Sequence, residues 1–158
     1  MPSNASNDLK NPVNARITSY DGVNTAGRGV PVIVAQDRTV AATAAVASIA
    51  AFTVGSADAT FEVSANVLVT TATTHAFTLT CAYTDEGNTA RTLTLTFGLV
   101  AGGVATTSIA NATGTVPYHG VPVTIRCKAA TTITIASAAG GTYTTVVYNA
   151  EGIIKQLS

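Results

Sequence analysis

The sequence predicts an all-β protein, an antiparallel β-sandwich preceded by an extended N-terminal arm. Three observations carry that expectation. Threonine alternates with Leu, Val, Ile, Phe or Tyr, as in Phe77-Thr78-Leu79-Thr80-Cys81 and Thr92-Leu93-Thr94-Leu95-Thr96-Phe97. This is the period-2 pattern of strands with one face in a core and one toward water. Threonine supplies 28 of the 158 residues, a β-branched, uncharged side chain suited to the outward face. Charged residues make up only 10% of the chain, against about 25% in typical soluble domains.

Residues 1–30 stand apart, because Asn, Ser, Asp, Gly and Pro dominate and apolar residues are isolated. Such a segment cannot bury a core of its own and reads as an extended arm. Fully extended, its first 25 residues span roughly 80 Å, enough to reach a neighbouring subunit. Residues 31–158 form the sandwich domain. Gly29 to Val34 begins the apolar material, and the alanine-rich run Val40 to Val54 fits neither period, so it reads as short strand or irregular. From Ala59 onward the β pattern takes over, with Thr60 to Val63 and Val67 to Val69 followed by a polar turn, Thr70 to His75.

The clearest unit is Phe77 to Phe97. Reflection about Gly87 pairs Phe77 with Phe97, Leu79 with Leu95, Cys81 with Leu93 and Tyr83 with Arg91, while Thr78 faces Thr96 and Thr80 faces Thr94. Inward and outward sets match in one register, and Asp85-Glu86-Gly87-Asn88 supplies the turn. Val121 to Cys127 alternates again, with Pro122 implying an edge or an early strand position. Thr131 to Ala136, an Ala-Ala-Gly-Gly turn at 138–141, Thr142 to Tyr148 and Ile153 to Leu157 complete the chain. About eight short strands at this spacing imply a sandwich, of which the jelly roll is the expected form.

Eight basic and eight acidic residues give zero formal charge. With its bases scattered, the chain offers no stripe to displace counterions from phosphates, so no nucleic-acid partner is expected. A weakly charged surface has little electrostatic defence against association and suits burial against other subunits. The first residues lack a basic and an apolar region, so no secretory leader is expected. No run of about 18 apolar residues exists to span a membrane.

Chemistry-bearing residues are sparse. His75 and His119 are the only histidines, too few for a zinc ligand set, and no metal or other cofactor is expected. Asp85 and Glu86 are adjacent on a turn, so their side chains diverge and do not form the facing carboxylate pair of a glycosidase. No nucleophile and base pair emerges, no catalytic residue is nominated and the chain does not read as an enzyme. Cys81 and Cys127 sit at inward positions and read as free structural thiols, a bridge between neighbouring strands being the alternative. Tyr83, Tyr118, Tyr143 and Tyr148 read as core or interface filler, with a carbohydrate platform as the other reading. The residues nominated for interface or loop contacts are Tyr118, His119, Tyr83 and Arg91.

The sequence from Phe77 to Leu157 resembles small tailed-bacteriophage structural proteins with jelly-roll domains. The resemblance is carried by Thr78 to Asn88 (TLTCAYTDEGN), Pro117-Tyr118-His119-Gly120, Ile125-Arg126-Cys127-Lys128 and the ending Tyr148 to Ile154 (YNAEGII). It implies a virion part, often a homotrimer, decorating a capsid or completing a head fibre or tail, and it carries over no functional residue. The expected function is that of a capsid decoration (cement) protein. Such a protein would be trimeric, located in the virion after assembly in the bacterial cytoplasm, and bound to the major capsid protein or other virion subunits through many modest contacts and its arm. The alternative is a receptor- or carbohydrate-binding module of a head or tail fibre, marked by exposed aromatics on loops at one end, with Tyr118 and His119 as the candidates.

Overall fold

The computed structural model describes residues 31–71, 76–99, 105–110, 116–139 and 146–158. The expected arm over residues 1–30 lies outside these residues. The described chain contains eleven strands and no helix: β1 (Val32–Ala42), β2 (Ala50–Thr53), β3 (Ala59–Thr71), β4 (Ala76–Thr84), β5 (Ala90–Thr94), β6 (Phe97–Leu99), β7 (Ile109–Ala110), β8 (Val116–Gly120), β9 (Val123–Cys127), β10 (Thr132–Ala139) and β11 (Val147–Gln156). They form two antiparallel sheets packed as a β-sandwich. The six-stranded sheet has the order β1-β11-β3-β8-β6, with β9 also paired to β3. The five-stranded sheet has the order β2-β10-β4-β5, with β7 also paired to β4. This order establishes a sandwich; the narrower jelly-roll expectation is not established by it.

The alternation read from the sequence builds the core directly. On β3, Ala59, Phe61, Val63, Ala65, Val67 and Val69 are buried, while Thr60, Glu62, Ser64, Asn66 and Leu68 between them are not. Tyr148, Ala150 and Ile154 of β11 join the same inner face. Leu79 and Cys81 of β4 and Ile133 and Ile135 of β10 face them from the other sheet. Fully burying one such side chain stabilises the fold by about 1.5–3 kcal/mol. Threonines turn outward as expected, with Thr80 opposite Thr94 and the hydroxyls of Thr53 and Thr132 3.5 Å apart.

Ser137 is the one buried polar residue among those described, and it is fully engaged. Its Oγ accepts from Val46 N at 2.7 Å and lies 2.8 Å from the Tyr148 hydroxyl, which donates to Ala44 O at 2.7 Å. Ser137 N donates to Val46 O at 2.9 Å. These bonds join β10 of one sheet, β11 of the other and the crossing segment 43–49. The ambiguous Val40 to Val54 run thus ends β1 at Ala42, crosses between sheets without strand structure and enters β2 at Ala50.

The hairpin register holds in its middle and changes at its end. Thr80↔Thr94, Cys81↔Leu93, Ala82↔Thr92 and Tyr83↔Arg91 pair as the reflection about Gly87 requires, and Leu95 N bonds Leu79 O at 2.9 Å. Phe97 does not pair with Phe77. The chain leaves the five-stranded sheet at Leu95–Thr96, and Phe97 pairs with Gly120 in the other sheet. The place it would have taken beside Phe77 is filled by Ile109 of β7, with Ala139 on the other side. Phe97 is drawn across because its ring buries fully there, edge-on to Tyr118 with centroids 6.4 Å apart.

Three further readings change. β3 is one continuous strand, as is β11, which runs through the Asn149-Ala150-Glu151-Gly152 segment. Ala138 and Ala139, read as a turn, belong to β10. Pro122 lies just before β9, which among the described residues pairs along its length with β3. It otherwise meets the hairpin tip only in the single bridge of Cys127 to Asp85, so the expected edge character is present at its start.

β8 and β9 share one side of β3: β8 pairs with Asn66 to Val69, and β9 with Ala59 to Val63. At the step between them a Cβ on Gly120 would fall 2.1 Å from Ala65 O and 2.7 Å from Ala65 N. Only glycine lets the two backbones approach this closely. Gly120→Ala is therefore expected to cost at least about 2 kcal/mol. Gly55→Ala, where a Cβ meets nothing within 4 Å, stays near wild type; urea melts of the two variants side by side check this. Tyr148→Phe removes the hydroxyl that serves Ala44 and Ser137, and a loss of about 1–2 kcal/mol is expected in the same assay.

Candidate functional site

The four residues nominated from sequence separate into two places. Tyr83 and Arg91 lie opposite each other near the tip of the β4–β5 hairpin. There Asp85 organises the turn. Its Oδ1 accepts from Thr89 N at 2.8 Å, and Arg91 Nε reaches its Oδ2 at 2.7 Å. The Thr89 amide, followed by the Arg91 guanidinium, holds the Asp85 carboxyl below its ordinary range. A carboxylate held low stabilises the turn above its ordinary pKa, and that contribution is lost as the pH falls through the lowered value. Glu86 pairs with Arg126 beside this tip. The charges at this end are consumed in local pairs, which fits a structural tip.

Tyr118 and His119 are neighbours on β8 and point to opposite faces. Tyr118 is 6% exposed, its ring against Phe97, and burial pushes its phenol up. The reading of Tyr118 as core filler agrees with the structure, and the loop placement of the alternative reading does not: the period-2 pleat of β8 turns Tyr118 inward, where its ring fills the core, and turns His119 out. Among the described Phe and Tyr side chains none is exposed.

His119 instead belongs to a polar row that crosses the outer face of the six-stranded sheet. Arg38 pairs with Glu151, Glu151 with Asn66, and Asn66 with His119, on β1, β11, β3 and β8 in turn. The next outward row is Asn149, Leu68 and Pro117. Between them lies a groove of about 210 Å³. Its polar atoms hold one another. Glu151 Oε1 accepts from Gln36 Nε2 at 2.7 Å, and its Oε2 accepts from Asn66 Nδ2 at 3.4 Å. Asn66 Oδ1 accepts from Gly120 N at 3.4 Å, and Asn149 Oδ1 accepts from Ala41 N at 2.8 Å. Arg38, Glu151, Asn66 and Asn149 were not nominated from sequence. Each is an ordinary outward polar residue of a strand, and only the long-range register brings them together.

Cys81 and Cys127 are free and fully buried, one on each sheet, so the reading as structural thiols agrees with the structure. Burial, reinforced by Cys127, pushes the Cys81 thiol up to about 12; burial pushes Cys127 up to about 11. The corner they occupy is closed by Lys128 N bonding Thr84 O at 3.0 Å.

No protein-family model matches the chain, and no curated protein matches it. Among solved structures it is similar to the N-terminal endo-1,4-β-D-xylanase 10B of Clostridium thermocellum, in its CBM22-1 and GH10 modules complexed with xylohexaose. The identity is 12% and the TM-score 0.32, covering 80% of this chain and 25% of that one. A likeness at that TM-score carries no argument about function.

The thiols make a pH prediction. Their folded pKa values lie above the ordinary 9.0, so their contribution to stability is complete below pH 9 and is lost as the pH rises toward the folded values. Unfolding free energies from urea melts at pH 8 and pH 10 should differ by about 1 kcal/mol per thiol. The loss should shrink in the Cys81→Ala/Cys127→Ala double variant, and native thiols should resist a disulfide reagent until the protein unfolds.

Proposed function

We propose that this chain is a virion structural protein of the capsid-decoration type, a neutral β-sandwich that works by covering its surfaces with copies of itself and with capsid subunits. One observation carries the reading. The exposed large apolar residues of the described chain, Ile33 (54% exposed), Val40 (64%) and Val121 (44%), lie toward opposite sides of the same six-stranded sheet. Ile33 and Val40 are on β1, the edge strand; Val121 leads into β9, an edge on the far side of β3. Two different apolar edges on one subunit suit a head-to-tail contact, which closes into a ring when the rotation permits. A homotrimer is the form this reading takes.

The contact uses side chains and not strand pairing. Arg38 N is capped by Asp37 Oδ1 at 2.7 Å, and Ala41 N by Asn149 Oδ1 at 2.8 Å. The register of β1 also shifts twice along β11. Blunted in this way, the edge is guarded against indiscriminate β-augmentation. The neutral threonine faces complete the picture, since burying them against a neighbour desolvates few charges. Residues 1–30 enter as the arm expected to cross to a neighbouring subunit. Binding of this kind adds modest contacts over many copies and needs no reaction chemistry.

Light scattering at high concentration is expected to give a closed oligomer, a trimer in this reading. Ile33→Asp and Val121→Asp, each on one edge only, should both dissociate it while leaving the circular-dichroism spectrum of the folded sandwich unchanged. Deleting residues 1–30 should lower occupancy on capsids. A monodisperse monomer in the wild type would contradict the reading, and unchanged occupancy would remove the arm from it.

A further inference from the structure

We propose that the groove on the outer face of the six-stranded sheet binds a neutral, hydroxyl-rich ligand: a short saccharide chain lying across the strands. This goes beyond the assembly reading and does not rest on it.

The chemistry of the row selects the class. Arg38 and His119 stand exposed at its two ends, with Glu151 and Asn66 between them. No described residue forms an ion pair with Arg38. An anion reaching Arg38 would also meet the Glu151 carboxylate, and a cation reaching Glu151 would meet Arg38. A purely apolar ligand would strip water from all four groups with nothing in return. A hydroxyl both donates and accepts, so a row of hydroxyls can satisfy Arg38, Glu151, Asn66 and His119 in succession.

The acceptors and donors are held ready. Glu151 is held by Gln36 and Asn66, and each of its oxygens keeps a second lone pair for a ligand. Asn149 is anchored through its Oδ1, so its Nδ2 is the atom offered. Groups fixed before binding lose little freedom when the ligand arrives. Beside this row Leu68 and the exposed Pro117 supply an apolar shelf for the C–H faces of sugar rings. Arg38 to His119 spans three inter-strand gaps, roughly 14 Å, a length suited to an extended oligosaccharide. A protein segment fits less well: the face has no open strand edge to extend and no pocket for a large anchor.

The test is a titration of the full-length, isotope-labelled protein followed by amide NMR. The probes are the hexamers of β-1,4-glucose and of N-acetylglucosamine, with the hexamer of galacturonic acid as an anionic comparison. At least one neutral hexamer is expected to shift the amides of Asn66, Leu68, His119, Asn149 and Glu151, with a Kd on the order of 1 mM or tighter. The exposed variants Arg38→Ala and His119→Ala should each weaken it at least about threefold, and the pair about tenfold. Thr92→Ala, on the other sheet, should not change it. Absence of shifts with both neutral probes at about 10 mM overturns the proposal. So do shifts located elsewhere, indifference to the two variants, or equal binding of the anionic hexamer. Shifts at these amides that follow protein dilution without any sugar would assign the face to a second copy. The oligomer measurement above stands independently of each of these outcomes.

Discussion

Both sheets of this protein meet at a pair of hydroxyls. Tyr148 and Ser137 lie in a core that is otherwise apolar among the described residues, and each hydroxyl is engaged by the other and by the backbone of residues 44–46. A buried hydroxyl left without partners would cost about 1–3 kcal/mol, so the network is stable only when the crossing segment follows one path. That path carries the chain from β1 in one sheet to β2 in the other and seats Ile49 and Ala50 in the core. The sandwich closes at this end because its polar atoms have one way to be satisfied. At the other end the closure is backbone to backbone, Lys128 to Thr84.

With the core fixed in this way, the outward residues are free to be neutral. The five-stranded sheet presents threonine outward, as in Thr80 opposite Thr94, and on the six-stranded sheet the neutral amides of Asn66 and Gln36 hold Glu151. The described ion pairs, Asp85–Arg91, Glu86–Arg126 and Glu62–Lys155, are each internal to the subunit. Exposed pairs of this kind add little stability; their effect is to take charge out of play. The surface that remains can be covered by a neighbour at low desolvation cost, and it can present a polar row without attracting ions.

Local order was legible in the sequence wherever one residue's neighbours decide its side of the sheet. The alternation on β3, the threonines of the β4–β5 hairpin and its register from Thr80 to Thr84 all follow from period 2 and turn chemistry. The departure of Phe97 to the other sheet was not legible, because Tyr118 decides it, and Tyr118 is distant in sequence. The candidate groove was illegible for the same reason. Gln36 and Glu151, which share a hydrogen bond, are 115 residues apart, and only the register of β1 on β11 makes them neighbours. His119 was singled out from its loop-like Pro-Tyr-His-Gly context. It proves to be a strand residue on a polar face, while Tyr118 beside it fills the core.

We propose that this sandwich functions by being covered, edge to edge, in an assembly. Locating its density in a reconstruction of the virion tests that most directly. Closed rings of copies on the outer capsid surface are expected, with the β1 edge of one subunit against the β9 edge of the next. Single separated copies with both edges open to solvent, or absence from the particle altogether, would contradict it.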